Sequence, residues 1–241
     1  GVVHNQTLVW TLDYGFARWH SGSPPTPDTL FRIDSNTKTF TGTAIMQLRD
    51  EGKLDLSDPI TAYVPEFGQA TIGREYINDV TLRRLLTHRA GLNGEAIGAW
   101  GETGIGPSTT EMLKGLTSCG VVIPPDSQHK YSNLAFILLG QVISRVSGIP
   151  YSEYIATQIF GPLGMSSSTY NPDDSTLAKA IHYHRPVMEE VPVKAHRLTH
   201  NARRPGGGIY STVADLAKWL SQQFRTGIMM NRGSDQVLSV K

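Results

Sequence analysis

A serine and a lysine stand three residues apart in the segment Ser35-Asn36-Thr37-Lys38. On a helix this spacing places both side chains on one face, within reach of each other. A serine hydroxyl becomes a good nucleophile only when a neighbour takes its proton, and a lysine can do so only when burial or nearby positive charge lowers its pKa from about 10.4. The helix N-terminus would also stabilise negative charge developing at the serine. The pair therefore predicts a nucleophile, Ser35, and its base, Lys38.

The spacing of this pair is weak support by itself, because a serine followed three residues later by a lysine occurs about once by chance in a chain of this length. Ser127 and Lys130 share the spacing but follow the residues Pro124-Pro125-Asp126, which predict a loop. The plain alternative for Ser35 is a helix-capping residue.

A second group of reactive side chains, Tyr131-Ser132-Asn133, lies between a loop and an apolar helix predicted from Leu134. The phenol and the amide can both point to the same side of the chain. Near a lysine, the phenol of Tyr131 can relay the serine proton or deliver one to a leaving group. Asn133 can orient Lys38 and bind a substrate carbonyl. These two residues therefore join Ser35 and Lys38 in the predicted site.

The apolar pattern predicts the elements that position these residues. Strand residues on either side of a polar turn indicate a hairpin over 2–12. Apolar residues recur at helical spacing from Phe40 to Leu48, which places Ser35 at the start of a helix ending near Gly52. Further helices are predicted at 81–87, at 108–116 with a Ser108/Glu111 capping box, and at 134–147, 152–160 and 211–224.

The order of these elements, strands, then a long helical stretch, then a return to strand, predicts an α/β fold. We expect an antiparallel sheet flanked by helices, with a large and mainly helical insertion. Residues 1–241 are expected to form one catalytic region, with 1–60 and 205–241 in the α/β part and about 61–204 in the helical part.

The composition argues against several classes of partner. The chain has 241 residues and a net charge of +1 without a long basic run, so neither nucleic acid nor an anionic membrane surface is an expected partner. The longest apolar run, Leu134 to Leu139, is too short to span a bilayer. The single cysteine, Cys119, allows no internal disulfide and is expected in the core. Small molecules are the expected partners, and no cofactor is expected.

Other patterns support weaker hypotheses. His182 and His184 could bind zinc, but no third ligand has a recognisable spacing, so no metal is expected. His88 is either a general base or, as we favour, a hydrogen-bonded packing residue. The glycines at 206–208 lack the lysine that follows in a phosphate-binding loop, and a tight turn explains them. Arg203 either meets a substrate carboxylate or solvates a surface.

Several of these segments, in order, resemble the serine β-lactamase, penicillin-binding protein and esterase superfamily, in its class C β-lactamase-like branch. The resemblance covers nearly the whole chain and includes Tyr131-Ser132-Asn133. The other segments that carry it are Leu30 to Thr41, Asp50 to Pro59, Leu85 to Leu92, Phe160 to Met165 and Gly207 to Thr212. It implies a β-lactamase/transpeptidase-like fold, Ser35 as nucleophile, Lys38 as base, an ester, amide or β-lactam substrate, and a periplasmic or secreted location that composition does not test.

The chain departs from the family's pattern at Asp34, where a small residue is usual, and at Asp126, where glycine usually follows proline. The family's third motif, a lysine or histidine followed two residues later by glycine, normally comes well after the segment that resembles Gln236 to Ser239. That strand supplies one of two oxyanion-hole amides, which leaves the Ser35 N–H without an identified second donor. We expect that a missing C-terminal region, or a second chain through self-association, completes the site.

Two functions follow from the residues and the resemblance. The first is a serine hydrolase that acts through an acyl-enzyme on an ester or amide carbonyl, as an esterase, a β-lactamase or a D-amino-acid peptidase. Esterase or peptidase is favoured over dedicated β-lactamase. The second is a truncated, non-catalytic binding or assembly module of the same family, which the absent third motif suggests.

Overall fold

The structure is a computed structural model that describes residues 1–18, 21–95, 105–173, 180, 184–185, 193–194 and 201–224. The chain divides into two compact units. One comprises Gly1–Ile33, Ala156–Arg197 and Ile209–Lys241, and the other comprises Asp34–Ile155 and Leu198–Gly208. The predicted division into an α/β part and a helical part stays a prediction. Gln236 to Ser239, on which the comparison with the third motif depended, lie outside the described residues.

The first unit contains antiparallel strand pairs. Strand β1 (Val2–His4) pairs with β2 (Thr7–Trp10), as the sequence predicts, through a turn in which Asn5 and Gln6 both have positive φ. This backbone twist suits a two-residue hairpin turn. Strand β3 (Phe31–Arg32) pairs with β6 (Tyr210–Ser211), and β4 (His184–Arg185) pairs with β5 (Val193–Lys194). The predicted antiparallel pairing is thus confirmed for the described strands.

The first unit also contains the last described helix, α7 (Val213–Gln223), which packs against the β1–β2 hairpin. Its N-cap is Thr212, whose hydroxyl accepts a hydrogen bond from the Asp215 N–H, as predicted. Asp215 is buried, and its carboxylate accepts from the Ser167 N–H and from the Ser168 hydroxyl. The first unit also contains a short π-helical turn, Ala156–Phe160.

The second unit is helical. Its α-helices are α1 (Thr37–Asp50), α2 (Leu82–Leu86), α3 (Thr109–Gly115), α4 (Asn133–Ser147), α5 (Tyr151–Ile155) and α6 (Arg204–Gly207). Shorter 3₁₀ turns lie at Asp34–Asn36, Ile60–Ala62, Pro65–Gln69, Arg74–Asp79, Leu116–Ser118 and Asn201–Arg203. The predicted capping box is present, since Ser108 and Glu111 exchange hydrogen bonds at the start of α3. The helices predicted at 81–87, 108–116 and 134–147 are confirmed to within one residue. The helix predicted at 152–160 is α-helical only over Tyr151–Ile155, and a π-helical turn follows it.

Helix α4 lies at the centre of the second unit, because its residues from Leu134 to Ile143 are all buried except Gln141. It packs against α1, α2, α5 and α6. Gly140 permits the close approach of α6, since a Cβ at this position would lie 2.1 Å from Cγ of Pro205. The predicted core position of Cys119 is also confirmed, because its side chain is buried.

Helices α1 and α6 are joined by two side chains that lie one turn apart on α1. Lys38 donates to the Gly206 carbonyl over 2.7 Å, and the hydroxyl of Thr41 donates to the Pro205 carbonyl over 2.8 Å. Gly206 and Gly207 lie in α6, a single helical turn, where the sequence predicts a tight turn. The position of α6 is therefore fixed by the same helix that carries Lys38.

Within the described part of the chain, no single helix is both long and apolar enough to cross a membrane. Asn133–Ser147 and Tyr151–Phe160 meet that criterion only when they are taken together as a bent pair.

Candidate active site

Ser35 lies in a 3₁₀ turn, Asp34–Asn36, that leads directly into α1. The regular helix begins at Thr37, two residues later than predicted, because Asp34 has a φ of +42° and turns the chain sharply before it. Asp is among the residues that tolerate this left-handed conformation. Asp34 therefore supports a turn where the family usually has a small residue, and Ser35 stands exposed at the N-terminal end of the helix.

The predicted facing of Ser35 and Lys38 is present. The Lys38 Nζ lies 3.1 Å from the Ser35 Oγ. Lys38 is only 7% exposed, and burial lowers the pKa of its amine, an effect that Arg203 reinforces and that Tyr131 and Glu95 oppose. A lysine with a lowered pKa is more easily deprotonated, as a base must be.

Tyr131 contacts both Ser35 and Lys38. Its hydroxyl lies 2.8 Å from the Ser35 Oγ, and its ring faces Lys38, whose Nζ is 4.9 Å from the ring centroid. Tyr131 is 45% exposed, so part of its side chain faces solvent. The structure thus brings Tyr131 to the serine and lysine from a position 96 residues away in sequence.

Asn133 is the first residue of α4. Its Oδ1 accepts a hydrogen bond from the Tyr131 hydroxyl over 3.2 Å, and its Nδ2 donates to Glu95 Oε1. The acceptors of Lys38 are Ser35 and the Gly206 carbonyl, so Asn133 reaches Lys38 through Tyr131 and not by the direct contact that the sequence suggests. Its predicted role toward a substrate carbonyl stays a prediction.

His88 packs against the segment Tyr131-Ser132-Asn133, in the packing role that we favour from the sequence. Its Nδ1 accepts a hydrogen bond from the Ser132 N–H over 3.2 Å, and its ring lies 4.6 Å from that of Tyr131 and 5.1 Å from that of Phe136. Burial, together with His129 and Lys38, lowers the pKa of His88 to about 4. The ring is therefore uncharged at neutral pH and stabilises the segment without carrying charge.

Glu95 and Arg203 form an ion pair at the site that the sequence does not predict. The guanidinium of Arg203 is buried and lies 2.9 Å from Glu95 Oε2, so it forms an ion pair and does not solvate a surface. Burial lowers the pKa of Arg203, and Glu95 opposes that shift. No spacing rule would have found this pair, because its members are 108 residues apart.

The other sequence hypotheses have simple structural outcomes. The Ser127 hydroxyl donates to the Pro124 carbonyl in an exposed turn, which confirms the loop prediction. Asp126 adopts a φ of +62° where the family usually has glycine, and its carboxylate pairs with Arg84 over 2.8 Å. The described residues contain no group of three or more His, Cys, Asp or Glu side chains suited to a metal ion. His182 lies outside the described residues, and the His184 side chain is not described.

A serine and a lysine at the start of one helix, met by a tyrosine before another, place the chain in the β-lactamase/transpeptidase class of folds. Similarity to solved structures supports this fold class. The octameric penicillin-binding protein homologue from Pyrococcus abyssi is similar over 90% of this chain and 50% of its own, with 27% identity and a TM-score of 0.74. The D-alanine carboxypeptidase AmpC from Burkholderia cenocepacia has 24% identity and a TM-score of 0.74 over 95% of this chain and 59% of its own.

The family described as Beta-lactamase matches residues 1–239, and the chain belongs to this family. Among curated relatives, the D-alanyl-D-alanine-carboxypeptidase/endopeptidase AmpH of Escherichia coli is 32% identical over 211 residues, which cover 87% of this chain and 52% of AmpH. The chain spans about half the length of the curated relatives it matches.

Proposed function

We propose that this chain is the part of a serine hydrolase that carries its nucleophile and base, and that the enzyme acts through an acyl-enzyme on an ester or amide carbonyl. The observation that carries the proposal is the arrangement of three side chains, with Ser35 Oγ 3.1 Å from Lys38 Nζ and 2.8 Å from the Tyr131 hydroxyl. These distances lie within the range that proton transfer to or from a nucleophile requires.

The proposed reaction has two stages. In the first, the Ser35 proton passes to Lys38, the serine oxygen bonds to the substrate carbonyl carbon, and the carbonyl π electrons move onto its oxygen. The leaving group then departs with a proton delivered through Tyr131, which leaves an ester on Ser35. In the second stage water attacks this ester and releases the acid, with the same groups moving the proton in reverse.

The N-terminus of α1 supports the developing negative charge. The positive end of its dipole would stabilise an oxyanion formed at Ser35, which lies in the turn just before the helix. The Ser35 N–H is the proposed first oxyanion donor. The proposed enzyme also requires a second oxyanion donor.

We favour an amide substrate that ends in D-alanine, cleaved as a peptidase would cleave it, over a dedicated β-lactam substrate. A relative supports this choice, because AmpH of Escherichia coli is a D-alanyl-D-alanine-carboxypeptidase/endopeptidase. Esterase activity on small activated esters is expected as well, since the same acyl-enzyme would form.

The test of the proposal is covalent labelling. The chain is incubated with a fluorophosphonate and, separately, with a labelled penicillin, and peptide mass spectrometry locates the adduct. We expect the adduct on Ser35 and its loss in Ser35→Ala. Label on another residue, retained at full level in Ser35→Ala, would refute the proposal.

The alternative, a non-catalytic binding or assembly module, draws support from the chain's coverage of about half of its relatives. It predicts a folded chain that takes no label from either reagent and self-associates in sedimentation experiments. Cooperative unfolding monitored by circular dichroism separates this outcome from simple misfolding.

A further inference from the structure

A glutamate and a buried arginine lie behind Asn133. Arg203 is 4% exposed, and its Nη2 donates to Glu95 Oε2 over 2.9 Å. The other carboxylate oxygen of Glu95 accepts from Asn133 Nδ2. The Glu95 backbone is itself held, because its carbonyl accepts from Asn93 Nδ2 over 2.5 Å. One carboxylate therefore joins a buried cation to an amide that contacts the proposed catalytic tyrosine.

The chemistry of the carboxylate decides which way this amide points. A carboxylate only accepts hydrogen bonds, so the Asn133 group that faces Glu95 must be the NH₂. The Asn133 oxygen then faces Tyr131, and it too only accepts. The single hydroxyl proton of Tyr131 therefore lies on the Asn133 oxygen, 3.2 Å away. The bond between Ser35 and Tyr131 must then run from the serine hydroxyl to the phenol oxygen.

We propose that Glu95 and Arg203 are a positioning pair that fixes the Asn133 amide and thereby the direction of the hydrogen bond between Ser35 and Tyr131. The inference rests on the proposed acyl transfer at Ser35.

This direction has a consequence for the proton that leaves Ser35. Tyr131 already donates its proton to Asn133, whose amide oxygen is a poor base, so Tyr131 cannot take the serine proton without first losing its own. Lys38 in its uncharged form can take it once the serine hydroxyl rotates from the Tyr131 oxygen toward Lys38 Nζ, which lies 3.1 Å from the Ser35 Oγ. In that step the Ser35 O–H bond breaks, the proton binds Lys38 Nζ, and the oxygen bonds to the carbonyl carbon. The Glu95–Arg203 pair thus makes Lys38 the base. Tyr131 retains its proton and can deliver it to the leaving group.

The substitution Glu95→Gln would reverse this arrangement. The Arg203 Nη2 that faces this position can only donate, so the oxygen of the introduced amide turns to Arg203 and its NH₂ turns to Asn133. Asn133 then flips, its NH₂ faces the Tyr131 oxygen, and the Tyr131 proton turns to Ser35. The serine oxygen would then accept a hydrogen bond from Tyr131 that it does not accept in the wild-type chain, and this bond would make it a weaker nucleophile.

The experiment measures the rate of fluorophosphonate labelling at Ser35 in matched variants. We expect Glu95→Gln to slow labelling by about tenfold or more. The double variant Glu95→Gln/Arg203→Met removes the cation, lets the oxygen of the introduced amide return to Asn133, and should restore the rate to within about threefold of wild type. The ion pair between Glu66 and Arg145, with oxygen-to-nitrogen distances of 2.8 and 2.9 Å, supplies a control in the same unit. Glu66→Gln should leave the labelling rate unchanged.

A second readout does not depend on labelling. In ¹⁵N-labelled wild-type protein, the side-chain amide proton of Asn133 that binds Glu95 should resonate downfield of the other, and in Glu95→Gln it should move upfield. Unmoved Asn133 signals, or a folded Glu95→Gln chain that labels at the wild-type rate, would overturn the positioning role. A wild-type chain that takes no label at Ser35 would refute the proposed function instead, and the Asn133 signals would still decide on the pair.

Discussion

The imidazole ring of His88 packs against the phenol ring of Tyr131, with ring centroids 4.6 Å apart, and its Nδ1 accepts from the N–H of the next residue, Ser132. One side chain therefore fixes both the ring and the backbone of the segment that meets Ser35. His88 itself has a φ of +56°, a left-handed conformation that asparagine also tolerates.

Replacement of His88 by alanine should destabilise the fold and slow the chemistry. The change removes a buried acceptor and a packed ring, so we expect the free energy of unfolding to fall by about 2 kcal/mol. Labelling of Ser35 should slow because Tyr131 loses its support. Urea unfolding and the labelling rate measure the two effects. His129→Ala, at an exposed position nearby, is the control and should change stability by less than about 0.5 kcal/mol. A His88→Ala variant as stable as the control would refute the expectation.

The stability of the protein should decline as pH falls from 6.5 to about 4. The pKa of His88 is lowered from 6.5 to about 4 in the folded state, so the unfolded state binds more protons in this window and unfolding becomes more favourable as pH falls. Because the ring is half-buried and partly screened by solvent, we expect a loss on the order of 1–2 kcal/mol. Urea unfolding across this pH range measures it.

His88→Asn isolates this titration. Asparagine keeps a hydrogen-bond acceptor and tolerates the left-handed backbone, but it does not titrate in this window. The variant should show a flatter decline of stability between pH 6.5 and about 4 than the wild-type chain. An equally steep decline would assign the effect to other groups.

Replacement of Lys38 by arginine should abolish labelling while it retains the positive charge. Burial lowers the pKa of Lys38 from 10.5, so labelling of the wild-type chain should rise with pH and level off below 10.5. Arginine cannot give up its proton in a protein, and the variant should label at least about a hundredfold more slowly at every pH. Lys218→Arg, on α7, is the control. A Lys38→Arg chain with the wild-type pH profile would show that another group is the base.

Replacement of Gly140 in α4 by alanine should destabilise the fold and disturb the site by displacing α6. The added Cβ would lie 2.1 Å from Cγ of Pro205, so α6 must shift, and we expect a loss of about 2 kcal/mol in unfolding free energy. Labelling should also slow, because α6 supplies the Gly206 carbonyl that binds Lys38.

The matched control for this prediction is Gly42→Ala in α1. Its Cβ would meet only Leu86 Cδ2, at 3.8 Å, and alanine is the better helix former by roughly 1 kcal/mol. This variant should therefore be at least as stable as the wild-type chain. Equal stability of the two alanine variants would show that α6 moves without cost.

Local signals account for the features that the sequence predicted well. The capping box at Ser108 and the cap at Thr212 each depend on residues within one helical turn, and both are present. The facing of Ser35 and Lys38 also follows from helical spacing alone. The meeting with Tyr131 required the family resemblance, because no local rule joins residues 96 positions apart.

The ion pair of Glu95 and Arg203 could not have been predicted in the same way. Glutamate and arginine are most often surface residues, so neither type signals burial. Their pairing depends on how α6 packs against α4, which Gly140 permits by lacking a side chain. A glycine in an otherwise bulky apolar helix was the only local sign of a close approach, and it did not identify the partner.

Ser132 has a structural role that can be measured separately from the chemistry of its neighbour Tyr131. It is 2% exposed, its hydroxyl accepts from the Ala135 N–H at the start of α4 and donates to the Asn93 carbonyl, and its own N–H binds His88. In a library of single variants scored separately for cellular abundance and for reactivity, substitutions at Ser132 would reduce abundance. Substitutions at the exposed Tyr131 would reduce reactivity alone. These two adjacent positions would thus report folding and catalysis as distinct phenotypes.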